Sequence, residues 1–228
     1  WEDCSFRFSQ WDPARTDKYE GTPEQWNEAQ SIMKTLLDEN GINYEIGIDE
    51  AAFYGPKLDI QIKNVFGKED TIVTIQIDML LAKKFGMEYV DSNNQLVTPY
   101  IIHRTSLGCY ERTLALLIEK YAGAFPLWLA PEQIRILPIG DEHIEYAKSV
   151  CDKLSAAGLR AELDDSSNTI GYKIRNTQLQ KVPYMLIIGA KEVEEGTVSV
   201  RNRAGETVSK PVDAFLAEAL VEVATKKR

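Results

Sequence analysis

With 228 residues, 44% hydrophobic and 27% charged, the chain has the length for one or two domains and the balance of a protein that buries a core, which excludes a disordered or collagen-like polymer. No apolar run approaches a membrane span, no signal-peptide pattern is visible, and three isolated cysteines without a CxxC pair point to reduced thiols, so no membrane and a cytoplasmic location are expected. The net charge of −9 argues against a uniformly basic nucleic-acid binder, yet residues 166–210 carry 7 basic and 4 acidic groups, so a local basic face is still possible. The chain opens on Trp1 rather than Met, and its natural N-terminus is expected upstream.

In chain order, Ser5–Ser9 alternates and predicts a short strand. Thr22-Pro23-Glu24-Gln25 is a helix start with a capping-box Gln; Trp26, Ala29, Met33, Leu36 and Leu37 give one apolar face, and Gly41 stops the helix. Strands are expected at Tyr44–Ile48, Leu58–Lys63 and Thr71–Asp78, with 65–70 as a turn and a short helix at Leu80–Phe85. Asp91–Asn94 is a turn, and a further strand leads into His103-Arg104, followed by an apolar-periodic helix through Leu114, Leu117 and Ile118. Hairpins with flanking helices predict an α+β unit on an antiparallel sheet. The boundary falls in the Gly-, Ala- and Pro-rich stretch 122–131, dividing the chain into 1–128 and 129–228. Beyond it, strands at 134–139, 159–163, 184–188 and 197–201 alternate with helices at 142–157, 170–180 and 212–224, which predicts a small α/β domain with a largely parallel sheet.

Several residues carry possible chemistry. His103 stands at a strand end beside Arg104, and Glu111 and Arg112 open the next helix, a junction that suits an anion. A lone histidine is more often packed than a metal ligand, and Arg112 more often solvated than bound to phosphate. Lys57 follows the Gly55-Pro56 turn, and on pattern alone it reads as an exposed loop lysine. Gln76 and Asp78 share one face of a strand, either solvated or lining a polar pocket. In the second part, Lys173, Arg175 and Lys181 lie on or after a helix, and Arg201 and Arg203 near a strand end, the places where open α/β sheets bind ligands.

Taken together, Tyr54-Gly-Pro-Lys-Leu-Asp59, Thr74-Ile-Gln-Ile-Asp78, Ile102-His-Arg-Thr-Ser-Leu-Gly-Cys-Tyr-Glu-Arg112, Phe125-Pro-Leu-Trp-Leu-Ala-Pro131 and Lys181-Val-Pro-Tyr-Met-Leu186 resemble the threonyl-tRNA synthetase family in order and spacing. The resemblance covers essentially the whole chain. It implies an α+β antiparallel-sheet class II catalytic core, present in part, followed by a small α/β anticodon-binding domain. The family activates threonine with ATP and magnesium and transfers it to tRNA-Thr. The resemblance implies that Arg112, in the family's motif 3, and Lys57 serve the nucleotide; that Tyr54, Gln76, Thr74 and Cys109 bind substrate or nucleotide; and that His103 is one of three zinc ligands. Zinc there takes the amino group and hydroxyl of threonine, which solves the discrimination against valine. Arg175, Lys181, Glu192 and Arg201 align with anticodon contacts. A homodimer is implied for the intact enzyme.

The chain also departs from the family pattern. Motifs 1 and 2, the other zinc ligands and an editing domain are not in this sequence. Thr71 replaces an expected Gln, Cys109 an expected Ser, and Ser166-Ser167 an expected Arg-Asn. The 228-residue chain alone is therefore expected not to activate threonine efficiently. The alternatives are a non-catalytic tRNA-binding module and a prolyl- or glycyl-type relative.

Overall fold

The computed structural model describes residues 4–227, and Trp1 lies outside them. Contacts divide the chain into two compact units, Trp1–Glu119 and Lys120–Arg228.

The first unit opens with β1 (Cys4–Gln10), followed by α1 (Pro23–Glu39). Helix α1 starts where the sequence says it should. The Thr22 hydroxyl accepts from the Gln25 N–H at 3.4 Å and the Gln25 side chain accepts from the Thr22 N–H at 3.0 Å, closing a capping box. Its inward face (Trp26, Ala29, Met33, Leu37) is buried, whereas Leu36 is 54% exposed. Then come β2 (Glu45–Ile48), β3 (Lys57–Lys63), β4 (Glu69–Asp78), α2 (Leu81–Lys84), the small strands β5 (Tyr89–Val90) and β6 (Leu96–Val97), β7 (Ile101–Arg104) and α3 (Tyr110–Tyr121). The five-stranded sheet runs β2-β1-β3-β4-β7, antiparallel except for the β1–β2 edge pair.

Pairing puts alternate residues on opposite faces. Phe8, Leu58 and Ile77 pack with Trp26 and Met33 of α1 in one core, around a Trp11–Trp26 stack at 5.6 Å. The other face carries Lys57, Asp59, Thr74, Gln76, Asp78 and His103. Polar side chains on that face can be buried only if they satisfy one another. The α3 periodicity is real, but it buries only Leu116; Leu114 and Ile118 are 52% and 47% exposed.

The second unit contains β8 (Ile134–Pro138), a 3-10 turn at Asp141–His143, α4 (Ile144–Ala156), β9 (Ala161–Leu163), α5 (Ile170–Leu179), β10 (Tyr184–Ile188), α6 (Ala190–Glu195), β11 (Thr197–Asn202), β12 (Thr207–Pro211) and α7 (Val212–Ala224). Its sheet order is β12-β11-β10-β8-β9. The expectation of a largely parallel sheet is corrected. Strand β8 pairs parallel with β9 and β10, but β10–β11 and β11–β12 are antiparallel, so the sheet is mixed. The cause is the short link from β10 to β11: a parallel crossover needs about a dozen residues or more, and α6 with its flanks is shorter. One side of β8 and β10 packs the fully buried Ile134, Ile136, Leu186 and Ile188 against α4 and α7, and Leu137 and Met185 are buried on the other side.

Candidate functional site

Strand β4 organises the first unit's site. Across it, Gln76 pairs with Lys57 of β3 and His103 of β7. The Tyr54 hydroxyl donates to Gln76 Oε1 at 2.9 Å, and the Tyr54 ring meets the His103 ring edge-on at 6.3 Å. Glycine is required just beyond Tyr54, since a Cβ on Gly55 would stand 1.7 Å from the Ile77 carbonyl oxygen. This tight crossing delivers Tyr54 over the sheet. Phe53, Tyr54, Gln76, Asp78, Leu80, Leu81, Lys84 and His103 line a cavity of about 350 Å³.

His103 Nε2 lies 2.8 Å from Asp78 Oδ2, and Asp78 is 1% exposed. The other Asp78 oxygen accepts the N–H groups of Leu80 and Leu81 at 2.8 and 2.9 Å. Burial by itself would raise the Asp78 carboxyl, but the Leu81 N–H, the His103 ring and the Leu80 N–H together hold it below the usual carboxylate range. One imidazole nitrogen is thus fixed by a buried carboxylate, the usual arrangement behind a metal-ligating histidine. Among the described residues no group of three or more His, Cys, Asp or Glu is placed to hold a metal. The residues present fit one ligand position of a zinc site and not a full set.

Lys57, opposite Gln76, and Thr74, two residues before Gln76 on β4, share the same face and are both bonded to Asp59. Arg112 lies near the start of α3, with Nη1 donating to the Thr71 carbonyl at 2.8 Å. Gly108, at φ +66°, lets this segment approach, because a Cβ there would stand 1.8 Å from the Ile72 carbonyl oxygen. The β3–β4 register slips beside Ile72. The exposed Cys109 thiol donates to Glu111 at 3.0 Å, and that contact, with the backbone N–H of Glu111, lowers the Glu111 carboxyl from its ordinary value. Four residues of β4, a span of roughly 17 Å, separate the Arg112 end at Thr71 from the His103 end at Gln76.

In the second unit, Val198 and Val200 face the core, so Ser199 and Arg201 point to the opposite side. Glu192 accepts from the Ser199 hydroxyl at 2.8 Å and the Gly189 N–H at 2.9 Å. Burial pushes this carboxyl up, but Ser199 and the backbone donors outweigh it and leave it lowered. Arg201 Nε is buried without a partner among the described residues, an unusual orphan donor. Arg175 is exposed on α5. Lys181 is set apart, beyond the C-terminal end of α5, with its ammonium on the Ala122 carbonyl and its own carbonyl accepting from Arg203 Nε at 2.7 Å. The structure thus places Arg201, paired with Met185, toward the end of β10 at which Lys181 sits, and Glu192 at the opposite end, beside Gly189 and Ser199.

Residues 7–121 match the class II tRNA synthetase core domain (G, H, P, S and T), and residues 133–222 match the anticodon binding domain. The chain belongs to the class II tRNA synthetase core family. Among curated relatives, this chain is 54% identical over 228 residues to a threonine–tRNA ligase of Clostridium botulinum (strain Eklund 17B / Type B), covering 100% of this chain and 36% of the relative. It is 47% identical over 225 residues to a threonine–tRNA ligase of Listeria monocytogenes serovar 1/2a, covering 97% and 35%. A crystal structure of the RNA binding domain of threonyl-tRNA synthetase from Cryptosporidium parvum Iowa II superposes with a TM-score of 0.83 at 34% identity, over 96% of this chain and 55% of that one. The chain therefore spans little more than a third of the length of these curated relatives. Among the described residues no helix is long and apolar enough to cross a membrane.

Asp59, Phe53 and Lys84 complete the first unit's polar face and cavity without a sequence signal that marks them as binding groups. Asp78 shared the period-two signal with Gln76. Asp59 was visible only as the residue two beyond Lys57.

Proposed function

We propose that this chain serves a cytoplasmic, homodimeric threonine–tRNA ligase that activates threonine with ATP and magnesium and transfers it to tRNA-Thr. The observation that carries this reading is the cavity in which Tyr54, Gln76 and His103 converge over a buried Asp78. Polar groups fixed by one another reject a ligand that cannot replace their bonds, so such a site separates a hydroxyl-bearing amino acid from its apolar isostere. Tyr54 and Gln76 bound the threonine, with Phe53, Leu80 and Leu81 as its apolar wall. His103, aimed by Asp78, is the chain's own zinc ligand. Bound zinc would supply Lewis-acid coordination of the threonine amino group and hydroxyl. Thr74, Cys109, Lys57 and Arg112 serve the nucleotide side, where a guanidinium stabilises charge that develops on the phosphates. Arg175, Lys181, Glu192 and Arg201 contact the anticodon loop, and the exposure of Arg175 on α5 supports that assignment.

The test is ATP–pyrophosphate exchange by the whole ligase. His103→Ala and Gln76→Ala are expected to lose most threonine-dependent exchange and to narrow the preference for threonine over valine. Unchanged discrimination in both variants would refute the site. The chain by itself is expected to show exchange far below the whole ligase, and near-equal rates would contradict that.

A further inference from the structure

Asp59 is 4% exposed and stands on the polar face of β3. One of its oxygens accepts from the Lys57 ammonium at 2.7 Å and the other from the Thr74 hydroxyl at 2.7 Å. Arg7, its cross-strand neighbour on β1, is engaged elsewhere, bonding Glu50 at 2.7 Å and lying 3.8 Å from Glu45. The buried carboxylate is therefore committed to two groups, one on its own strand and one across the pair. A buried carboxylate without such partners would be costly. A lysine ammonium on a four-carbon stem has many rotamers, and among the described residues Asp59 is the side chain that fixes it. The Lys57 side chain is 26% exposed, so it is anchored at its tip and still reachable.

We propose that Asp59 is a positioning residue for the activation step: its carboxylate holds the Lys57 ammonium and the Thr74 hydroxyl in one place, so that Lys57 meets the reactants without reorganising. This rests on the reading of the polar face as the activation site. A fixed cation contributes more to a charged transition state than a mobile one, because the cost of ordering it has been met during folding.

The test is a double-mutant cycle in the whole ligase, scored by ATP–pyrophosphate exchange. Asp59→Asn is expected to lower kcat roughly 10- to 100-fold, the scale of a misplaced reacting group, with KM for threonine little changed. In a Lys57→Ala background, Asp59→Asn is expected to cost almost nothing more, because the group it positions is gone. Asp59→Glu, which keeps a carboxylate, recovers part of the rate and carries the cycle if the Asn variant does not fold. In this chain, the ¹H–¹⁵N signal of the Lys57 ammonium is expected to be protected from exchange and to lose that protection in Asp59→Asn. A wild-type rate in Asp59→Asn, a loss that adds in full to Lys57→Ala as a merely structural defect would, or an unchanged ammonium signal each overturns the inference. Wild-type exchange in Lys57→Ala would instead remove Lys57 from the site reading, and the inference with it.

Discussion

The two five-stranded sheets use their faces differently. In the first unit, one face is apolar and covered by α1, while the other carries Lys57, Asp59, Thr74, Gln76, Asp78 and His103, bonded largely among themselves. In the second unit, β8 and β10 are almost wholly apolar, and the candidate contacts lie on β11 and on helices at the margins. The difference teaches where to look for chemistry. An antiparallel sheet with one free face can mount a site on the strands themselves, whereas strands buried on both faces leave only strand ends and helix rims.

The largest expected effect breaks the covered side of the first sheet. Trp26 is fully buried and stacked on Trp11, so Trp26→Ala should cost about 3–5 kcal/mol, measured by denaturant unfolding. A loss under 1 kcal/mol would mean that α1 does not clamp that face. Next comes the polar side. Asp78→Asn removes a charged acceptor from His103 and from two backbone N–H groups, and should cost about 1.5–3 kcal/mol with faster amide exchange at Leu80 and Leu81. Unchanged exchange there would show that the carboxylate is not what holds the cavity rim.

A third prediction sharpens the contrast from the second unit. The Tyr184 phenol is pushed up to about 12, first by burial and then by its hydrogen bond to Glu222 at 2.9 Å. A folded-state value above the unfolded one stabilises the fold fully below the unfolded value, near 10, and that contribution is lost as pH rises through about 12. Several tyrosines are raised, and Tyr184 the most, so phenolate absorbance should show a latest-titrating component that disappears in Tyr184→Phe, and loss of no late component would contradict the burial. The smallest effect is local. Thr22→Ala removes the α1 cap and should cost about 1 kcal/mol, with fraying confined to the first turn of α1.

Much of the fold was legible where local chemistry decides. The Thr22–Gln25 cap set the start of α1, and the apolar run 184–188 and the helix 212–224 have the bounds expected of them. Helix α6 and strand β12 were not anticipated: Ala190–Glu195 has no buried residue, and Thr207–Pro211 is an edge strand with little burial to imprint a pattern. The mixed second sheet followed from connection length, which periodicity does not encode. The resemblance carried the family and its motifs. The residues alone left His103, Lys57 and the Gln76–Asp78 face undecided, because their meaning depends on register. Strand β7 reaches β4 only after α2 and the β5–β6 hairpin, and that pairing is what sets His103 opposite Gln76 and beside Asp78. The cysteine and histidine count could not reveal that a carboxylate stands behind the imidazole.

The most direct test of the account is equilibrium binding of this chain to the anticodon stem–loop of tRNA-Thr across a salt series. Salt-sensitive binding is expected, with preference over a stem–loop of another anticodon, and Arg175→Ala with Arg201→Ala should abolish that preference and flatten the salt dependence by about one to two phosphate contacts. Binding that ignores the anticodon, or that survives the double variant unchanged, would contradict it.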